Sequence, residues 1–190
     1  MKPLIFIVEG ETELEFINRL VIPYLIGKDL NTFMQGIIIK MSGGGHGYNN
    51  IQHFLNTIRP VIYRSDEPVI TSVYSIKAYP DFIPYIQRHE LETLLFADPK
   101  SGFDLEDEAI KQDVLQLSKS FHSIEDINCT PEGAPSKRLK KIYSNHQRRY
   151  EKVSDAVDIA ELTTLEVIMD KCPRFRKWID ILISKYAALL

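Results

Sequence analysis

Two glutamates near the start of the chain have the side chains and spacing of a small metal site. Glu9 follows the apolar run Leu4 to Val8, and Glu13 comes about one helical turn later, in the segment VEGETE. Carboxylates presented from a strand end and the adjoining helix suit a hard cation such as Mg²⁺, which also keeps water and substrate phosphate as ligands. The alternative is a solvated helix start, because the helix dipole favours acids in a first turn. Spacing alone leaves both open.

The elements that would position these glutamates alternate between strands and helices. The first apolar run predicts a buried parallel strand at about residues 3–9, and Gly10 allows a sharp turn into a helix that ends near Gly27. Further strands are predicted at about residues 36–40, 68–73 and 82–87. This alternation implies a mainly parallel sheet that binds ligands at the carboxyl ends of its strands.

The character of the sequence changes after Pro99. Leu105 to Phe121 has the pattern of an amphipathic helix, and helices continue to the end, where Trp178 lies on an apolar face that packs back on the sheet. We therefore expect an α/β core over residues 1–100 and a helical C-terminal part over residues 101–190. At this length the two parts should form a single compact unit.

Composition excludes several classes of protein. The net charge of −3 excludes a uniformly basic nucleic-acid coat. The two cysteines lack the spacing of a disulfide framework or a zinc module. The N-terminal apolar run, only about six residues long, is too short for a signal sequence or a membrane span. The sequence thus predicts a cytoplasmic protein with no membrane contact.

Four motifs carry a resemblance to known families. The strand-EGxTE-helix pattern that contains Glu9 and Glu13 resembles the opening of Toprim domains, the metal-dependent fold of topoisomerases, primases and overcoming-lysogenization-defect (OLD) nucleases. The segments FIPYIQRHELETLLFADP, GAPSKRL and KCPRFRKW resemble a bacterial, Toprim-related family of domains of unknown function. The resemblance implies a Toprim-like, mainly parallel sheet flanked by helices, with Mg²⁺ or Mn²⁺ as cofactor. It makes Glu9 the acid that binds metal or acts as general base, and Glu13 the second acid.

The same resemblance implies a partner. Members of that family are often encoded beside an OLD- or SMC-like ATPase, an arrangement similar to anti-phage defence modules. By this analogy the chain is the effector of a two-component system, and its partner is an ATPase of the AAA or ABC type.

One expected Toprim feature is missing. Two-metal phosphoryl transfer needs more carboxylates than Glu9 and Glu13 supply, yet the third predicted strand continues into VYSIKAYPDF without a DxD motif. Either the acids have been lost, or a segment between Val73 and Tyr74 is missing from the printed sequence. We favour the second explanation because a crossover between parallel strands takes about ten residues or more. Tyr74 to Asp81 provides only eight.

A second group of acidic and imidazole side chains lies at a predicted strand-to-helix junction. It comprises His89, Glu90, Glu92 and Asp98. Such side chains supply metal ligands or general acids and bases. The alternative is that they cap a helix whose other residues are core. An acid two positions after His-Glu is a signature of the resembled family, and we rank Glu90 above Glu92 as a catalytic candidate.

A predicted anion site lies where a helix begins after a Gly/Pro turn. There Ser136, Lys137 and Arg138 combine backbone N–H groups, the helix dipole and two cations. Lys137 or Arg138 is the candidate to hold a scissile phosphate.

The basic run continues beyond this turn. Seven Lys/Arg lie between Lys137 and Lys152 against one acid, with Tyr143 and Tyr150 among them. This composition predicts phosphate contacts from Arg148 and Arg149 and stacking on DNA or RNA bases. A solvated helical face is the alternative.

The leading hypothesis is therefore a Mg²⁺-dependent Toprim-family nuclease. The alternative is a non-catalytic Toprim-like binding or regulatory module that docks on an ATPase, which the missing third-strand acids favour. A third possibility is a structural interaction domain with no metal, in which Glu9 and Glu13 are only helix-start charges.

Overall fold

The computed structural model describes residues 3–39, 56, 69–71, 83, 85, 90–127 and 133–187. The chain divides into two compact units: unit 1 comprises residues 1–86 and 178–190, and unit 2 comprises residues 87–177. The C-terminal helix is thus divided between the units. The sequence-based division, by contrast, was drawn at residue 100.

Unit 1 contains a three-stranded parallel sheet. Its strands are β1 (Leu4–Val8), β2 (Met34–Ile38) and β3 (Val69–Thr71), in the order β2-β1-β3. The central strand β1 pairs in register with β2 from Leu4 opposite Met34 to Val8 opposite Ile38, and its first three residues pair with β3. The predicted mixed α/β class and parallel pairing are confirmed. Most of the predicted fourth strand lies outside the described residues.

A helical segment follows β1 and packs on β2. It consists of α1 (Glu11–Phe16), a π-helical turn (Ile17–Val21) and α2 (Ile22–Gly27). Gly36 in β2 lets this segment approach closely, because a Cβ there would overlap Cδ1 of Leu14. The predicted extent of the helix is confirmed, whereas the π turn was not predicted.

The end of the C-terminal helix packs on β1 within unit 1. The Trp178 ring meets Phe6 of β1 edge to face at 6.1 Å and stacks on Tyr85 at 4.8 Å. The Tyr186 hydroxyl donates to the Pro3 carbonyl at 3.2 Å. These contacts confirm the prediction that the terminal helix returns to the sheet.

The secondary-structure elements described in unit 2 are all helical. They form a 3₁₀ segment (Leu91–Ala97), α3 (Pro99–Gly102), α4 (Glu108–Lys119), a short 3₁₀ turn (Ile124–Asp126), α5 (Pro135–Asn145), α6 (Lys152–Thr163), α7 (Leu165–Lys171) and the start of α8 (Pro173–Ala187). The first 3₁₀ segment is buried along its whole length and contacts α3 to α7. It is therefore the centre of the unit's core. None of the described helices has the length and hydrophobicity that a membrane span requires.

Candidate functional site

Glu9 lies at the carboxyl end of the central strand. Strands β2 and β3 pair with opposite edges of β1, so the chain connects from β1 to a strand on one edge and then to a strand on the other edge. Strand order therefore reverses at β1, and open parallel sheets bind ligands at the carboxyl end of such a switch point. The Glu9 side chain is exposed there.

Gly10 makes room for the second carboxylate. A Cβ on Gly10 would lie 2.8 Å from Oε2 of Glu13, so the Glu13 carboxylate lies over Gly10 at the turn that follows β1. The backbone of Gly10 is extended, with φ −148° and ψ 176°, a conformation that any residue adopts. Glycine at this position thus leaves space for the Glu13 carboxylate, and both predicted metal ligands belong to one turn.

The donors at this turn suit a hard cation. Two carboxylates, with water and phosphate as the remaining ligands, match the preference of Mg²⁺ or Mn²⁺, whereas zinc favours sulfur and imidazole. Within the described ranges, no group of three or more His, Cys, Asp or Glu side chains is arranged to hold a metal. Residues 72–82, where third-strand acids would fall, lie outside the described residues.

In unit 2, the Glu90 side chain caps the first turn of α5. Its Oε2 accepts a hydrogen bond from the backbone N–H of Ser136 at 2.7 Å. The helix begins with Pro135, and Ala134 before it has no side chain that caps. Glu90 thus supplies the acceptor and negative charge that a helix N-terminus favours. The predicted anion site at Ser136 is therefore occupied by a carboxylate of the chain itself.

Glu92 is enclosed in the core of unit 2. Its side chain is 0% exposed, and neither carboxylate oxygen has a hydrogen-bond partner among the described residues. Lys152 Nζ lies 3.4 Å from Oε1, an ion-pair contact. Burial raises the pKa of Glu92, and the nearby Lys152 charge partly offsets that rise. In this conformation Glu92 does not reach a substrate in solvent.

The Tyr150 ring is part of the same enclosure. Its hydroxyl is buried, and burial together with the Glu92 charge raises its pKa. Tyr143 is also buried and meets Tyr150 edge to face at 5.4 Å. The prediction that these two rings stack on bases is therefore wrong, because the rings pack on each other inside the core.

Asp98 caps α3. It accepts hydrogen bonds from the Ser101 hydroxyl at 2.6 Å and from the Lys100 backbone N–H at 3.1 Å. The Ser101 hydroxyl is the main cause of the lowered pKa of this carboxyl. Of the remaining candidates in this group, His89 lies outside the described residues.

The predicted phosphate-binding cations differ in their surroundings. Lys137 is exposed. Arg138 is half-buried, with Nε donating to the Gly133 carbonyl at 2.6 Å and the guanidinium 5.2 Å from the centre of the Phe121 ring. It therefore has structural partners on two sides.

Arg148 and Arg149 both meet acids. Arg148 lies 3.4 Å from Asp107 and 3.7 Å from Glu106. Arg149 Nε lies 2.6 Å from a Glu151 oxygen. Part of the positive charge that the sequence assigned to nucleic acid is thus compensated within the fold.

The family comparison concerns mainly unit 2. A family model described as "Domain of unknown function (DUF4276)" matches residues 64–183, more than half of the chain. The chain belongs to the DUF4276 family. The predicted membership of a family of domains of unknown function is thereby confirmed. Comparisons with curated proteins and with solved structures gave no match.

The DUF4276 match covers the candidate residues of unit 2 but not the acidic turn of unit 1. It includes Glu90, Glu92 and the basic run, together with the three motifs that carried the resemblance to such a family. Glu9 and Glu13 precede it. The acidic turn of unit 1 is therefore a feature of this chain outside the matched DUF4276 region.

The DUF4276 region contains a second remote cap, that is, a carboxylate from a distant part of the sequence that caps a helix, and the sequence did not predict it. Glu125 is buried, and its oxygens accept from the backbone N–H groups of Arg174 at 3.3 Å and Phe175 at 3.4 Å, in the first turn of α8. Like α5, this helix begins with a proline that follows a residue without a capping oxygen. A Pro-initiated helix with no local cap is the signal that predicts such a remote partner.

Proposed function

We propose that the protein is a Mg²⁺-dependent nuclease with a Toprim-like unit 1, in which Glu9 and Glu13 hold the metal. The observation that carries the proposal is the place of Glu9, exposed at the carboxyl end of the central strand where the parallel order β2-β1-β3 reverses. The room that Gly10 leaves for the Glu13 carboxylate at the same turn supports it.

Each residue has a distinct role in this proposal. A bound Mg²⁺ supplies Lewis-acid stabilisation of the charge on a phosphoryl oxygen. Glu13 presents a carboxylate oxygen from the first turn of α1, and Glu9 presents one from the strand end. The alternative role of Glu9 in this proposal is that of a general base, which accepts a proton from water.

The resemblance of the EGxTE turn to Toprim domains extends the proposal to partners. It supports DNA or RNA as the substrate and an effector role beside an ATPase in a two-component defence system. The further carboxylates that two-metal chemistry requires would have to follow β3.

The second candidate function is a non-catalytic Toprim-like module that docks on an ATPase. The sequence favours it at one point, because the residues after Thr71 contain no DxD motif. Under this alternative the acidic turn binds metal without cleavage.

The test combines metal binding with cleavage. We expect Mg²⁺ and Mn²⁺ to bind in calorimetric titrations and to raise the melting temperature, and both effects to disappear in Glu9→Gln and Glu13→Gln. Glu11→Gln is the matched control, since Glu11 lies in the same turn and is exposed. Metal-dependent nicking of plasmid or cleavage of RNA, lost in the same two variants, would support the nuclease. Metal binding without cleavage would favour the docking module, and no metal binding would reject both.

A further inference from the structure

We propose that a groove between α4 and α5, within unit 2, binds the backbone of single-stranded nucleic acid. This α4–α5 groove has a volume of about 370 Å³. Its lining combines two cations, two side-chain amides and an apolar floor, namely Arg138, Lys141, Gln116, Asn145, Leu117 and Ile142.

The α5 helix is rich in positively charged side chains. It contains four Lys/Arg and no acid between Pro135 and Asn145. Lys141, which lines the groove, is exposed, and in the part of the chain that the structure describes it forms no ion pair. Arg148 and Arg149, by contrast, both meet carboxylates. Phosphate attraction should therefore be centred on α5.

The one acidic residue of the groove lining, Asp113, already contacts a histidine. Oδ2 of Asp113 lies 2.8 Å from Nε2 of His146, the residue directly after α5. This contact directs the carboxylate toward the histidine. The lining is thus complementary to an anion even though it contains one aspartate.

The anion does not bind at the start of the helix. Glu90 already accepts the Ser136 N–H there, so a phosphate at that place would have to displace a carboxylate. The cations of the groove lining, Arg138 and Lys141, lie three residues apart on α5, or roughly 4.5 Å along the helix axis. Successive cations suit a chain of phosphates better than one isolated ion.

The remainder of the lining favours single strands over other anions. Leu117 and Ile142 provide an apolar surface for base faces, and the Gln116 and Asn145 amides both donate and accept hydrogen bonds. Arg138 is a planar cation over the Phe121 ring, and guanidinium groups also stack on bases. A duplex hides its base faces and would use only the lysines.

This inference deepens the proposed function by naming where its substrate binds, but it rests on unit 2 alone. Binding is therefore measured in EDTA, where no metal chemistry takes part. The full chain is titrated against fluorescently labelled DNA and RNA single strands of about 20 nucleotides, over about 50 to 300 mM salt, by fluorescence anisotropy.

We expect Lys141→Glu, which reverses the exposed lysine of the groove lining, to weaken binding at least ~10-fold. We also expect it to lower the slope of log K against log salt by about 0.7, because each phosphate that a lysine neutralises contributes ~0.7 to that slope. Lys177→Glu, which reverses an exposed lysine on α8, is the matched control and should bind within about twofold of the unmodified chain. Circular dichroism and melting temperature verify that each variant is folded.

Three results would overturn the inference: unchanged binding by the folded Lys141→Glu variant, tighter binding to duplex than to single strands, and binding of the unmodified chain to anionic phosphatidylglycerol vesicles but not to nucleic acid. Failure of the proposed metal site would give a different result. The unmodified chain and Glu9→Gln would then bind single strands equally, and neither would bind Mg²⁺.

Discussion

Lys152 pairs with a carboxylate that has no contact with solvent, since its Nζ lies 3.4 Å from Oε1 of the fully buried Glu92. Removing one partner of a buried ion pair leaves an uncompensated charge. We therefore expect Lys152→Met to lower the free energy of unfolding by about 3 kcal/mol at about pH 8. Glu92→Gln/Lys152→Met should recover most of that loss. Urea denaturation of both variants measures the difference.

The pH dependence of Lys152→Met has a definite sign. The pKa of Glu92 is raised in the folded chain above 4.5, so the folded state binds a proton that the unfolded state has already lost. The contribution of Glu92 to stability therefore decreases as pH rises from 4.5 to the folded pKa. Without Lys152 the deficit should be largest at high pH and shrink toward about pH 5. An equal loss at both pH values would contradict this explanation.

Removal of either remote cap, Glu90 or Glu125, should lower the stability of the protein by a similar amount. Glu90→Ala and Glu125→Ala should each cost about 1 kcal/mol, the usual cost of a lost N-terminal cap. Glu90→Gln should cost less, because its amide oxygen still accepts the Ser136 N–H. Hydrogen exchange at the first turn of α5 should accelerate in Glu90→Ala. Asp180→Ala, at an exposed position of α8, is the control, and a similar loss there would argue against a capping role.

Gly10→Ala should separate metal affinity from stability. The added methyl group meets only the flexible end of Glu13, and the extended backbone accepts alanine without strain. We expect Mg²⁺ affinity to fall about tenfold while the melting temperature changes little. Gly27→Ala, where a Cβ would meet nothing within 4 Å, is the control for metal binding. Unchanged Mg²⁺ affinity in Gly10→Ala would place the metal elsewhere.

Gln147→Gly should stabilise the protein. Gln147 has φ 58° after α5, in a Schellman ending where its N–H donates to Ser144 and the Arg148 N–H donates to Tyr143. Relief of this left-handed conformation should raise the free energy of unfolding by about 1 kcal/mol, measured by thermal or urea denaturation. Ser144→Gly, in the last turn of the same helix, should instead lose about 0.5 kcal/mol. Shifts of the same sign in both variants would contradict the argument.

Local patterns predicted much of unit 1. An apolar β-rich run predicted β1, and helical spacing of apolar residues predicted the segment from Glu11 to Gly27. Both signals lie within a few consecutive residues. The sequence also predicted a helix at the strand-to-helix junction that contains Glu90 and Glu92, where the structure has a 3₁₀ segment buried along its whole length. An element without an exposed face has no periodicity that tells one helix type from another.

Contacts between residues that are far apart in the sequence could not be predicted from local patterns. Lys152 was recognised only as one cation in a basic run, yet it is the partner of Glu92, 60 residues earlier (152 − 92). The α4–α5 groove likewise joins two helices that the sequence treats separately. The position of Glu9 and Glu13 on one turn was predictable because one strand and the next helix carry both.

The remote caps also have a consequence for the order of folding events. The first turns of α5 and α8 gain their acceptors only when glutamates 46 and 49 residues earlier in the chain arrive. Closing such long loops costs entropy before any contact is formed, so neither helix should be stable as an isolated peptide. Substitutions at Glu90 and Glu125 should accordingly accelerate unfolding far more than they slow refolding, with φ-values near zero.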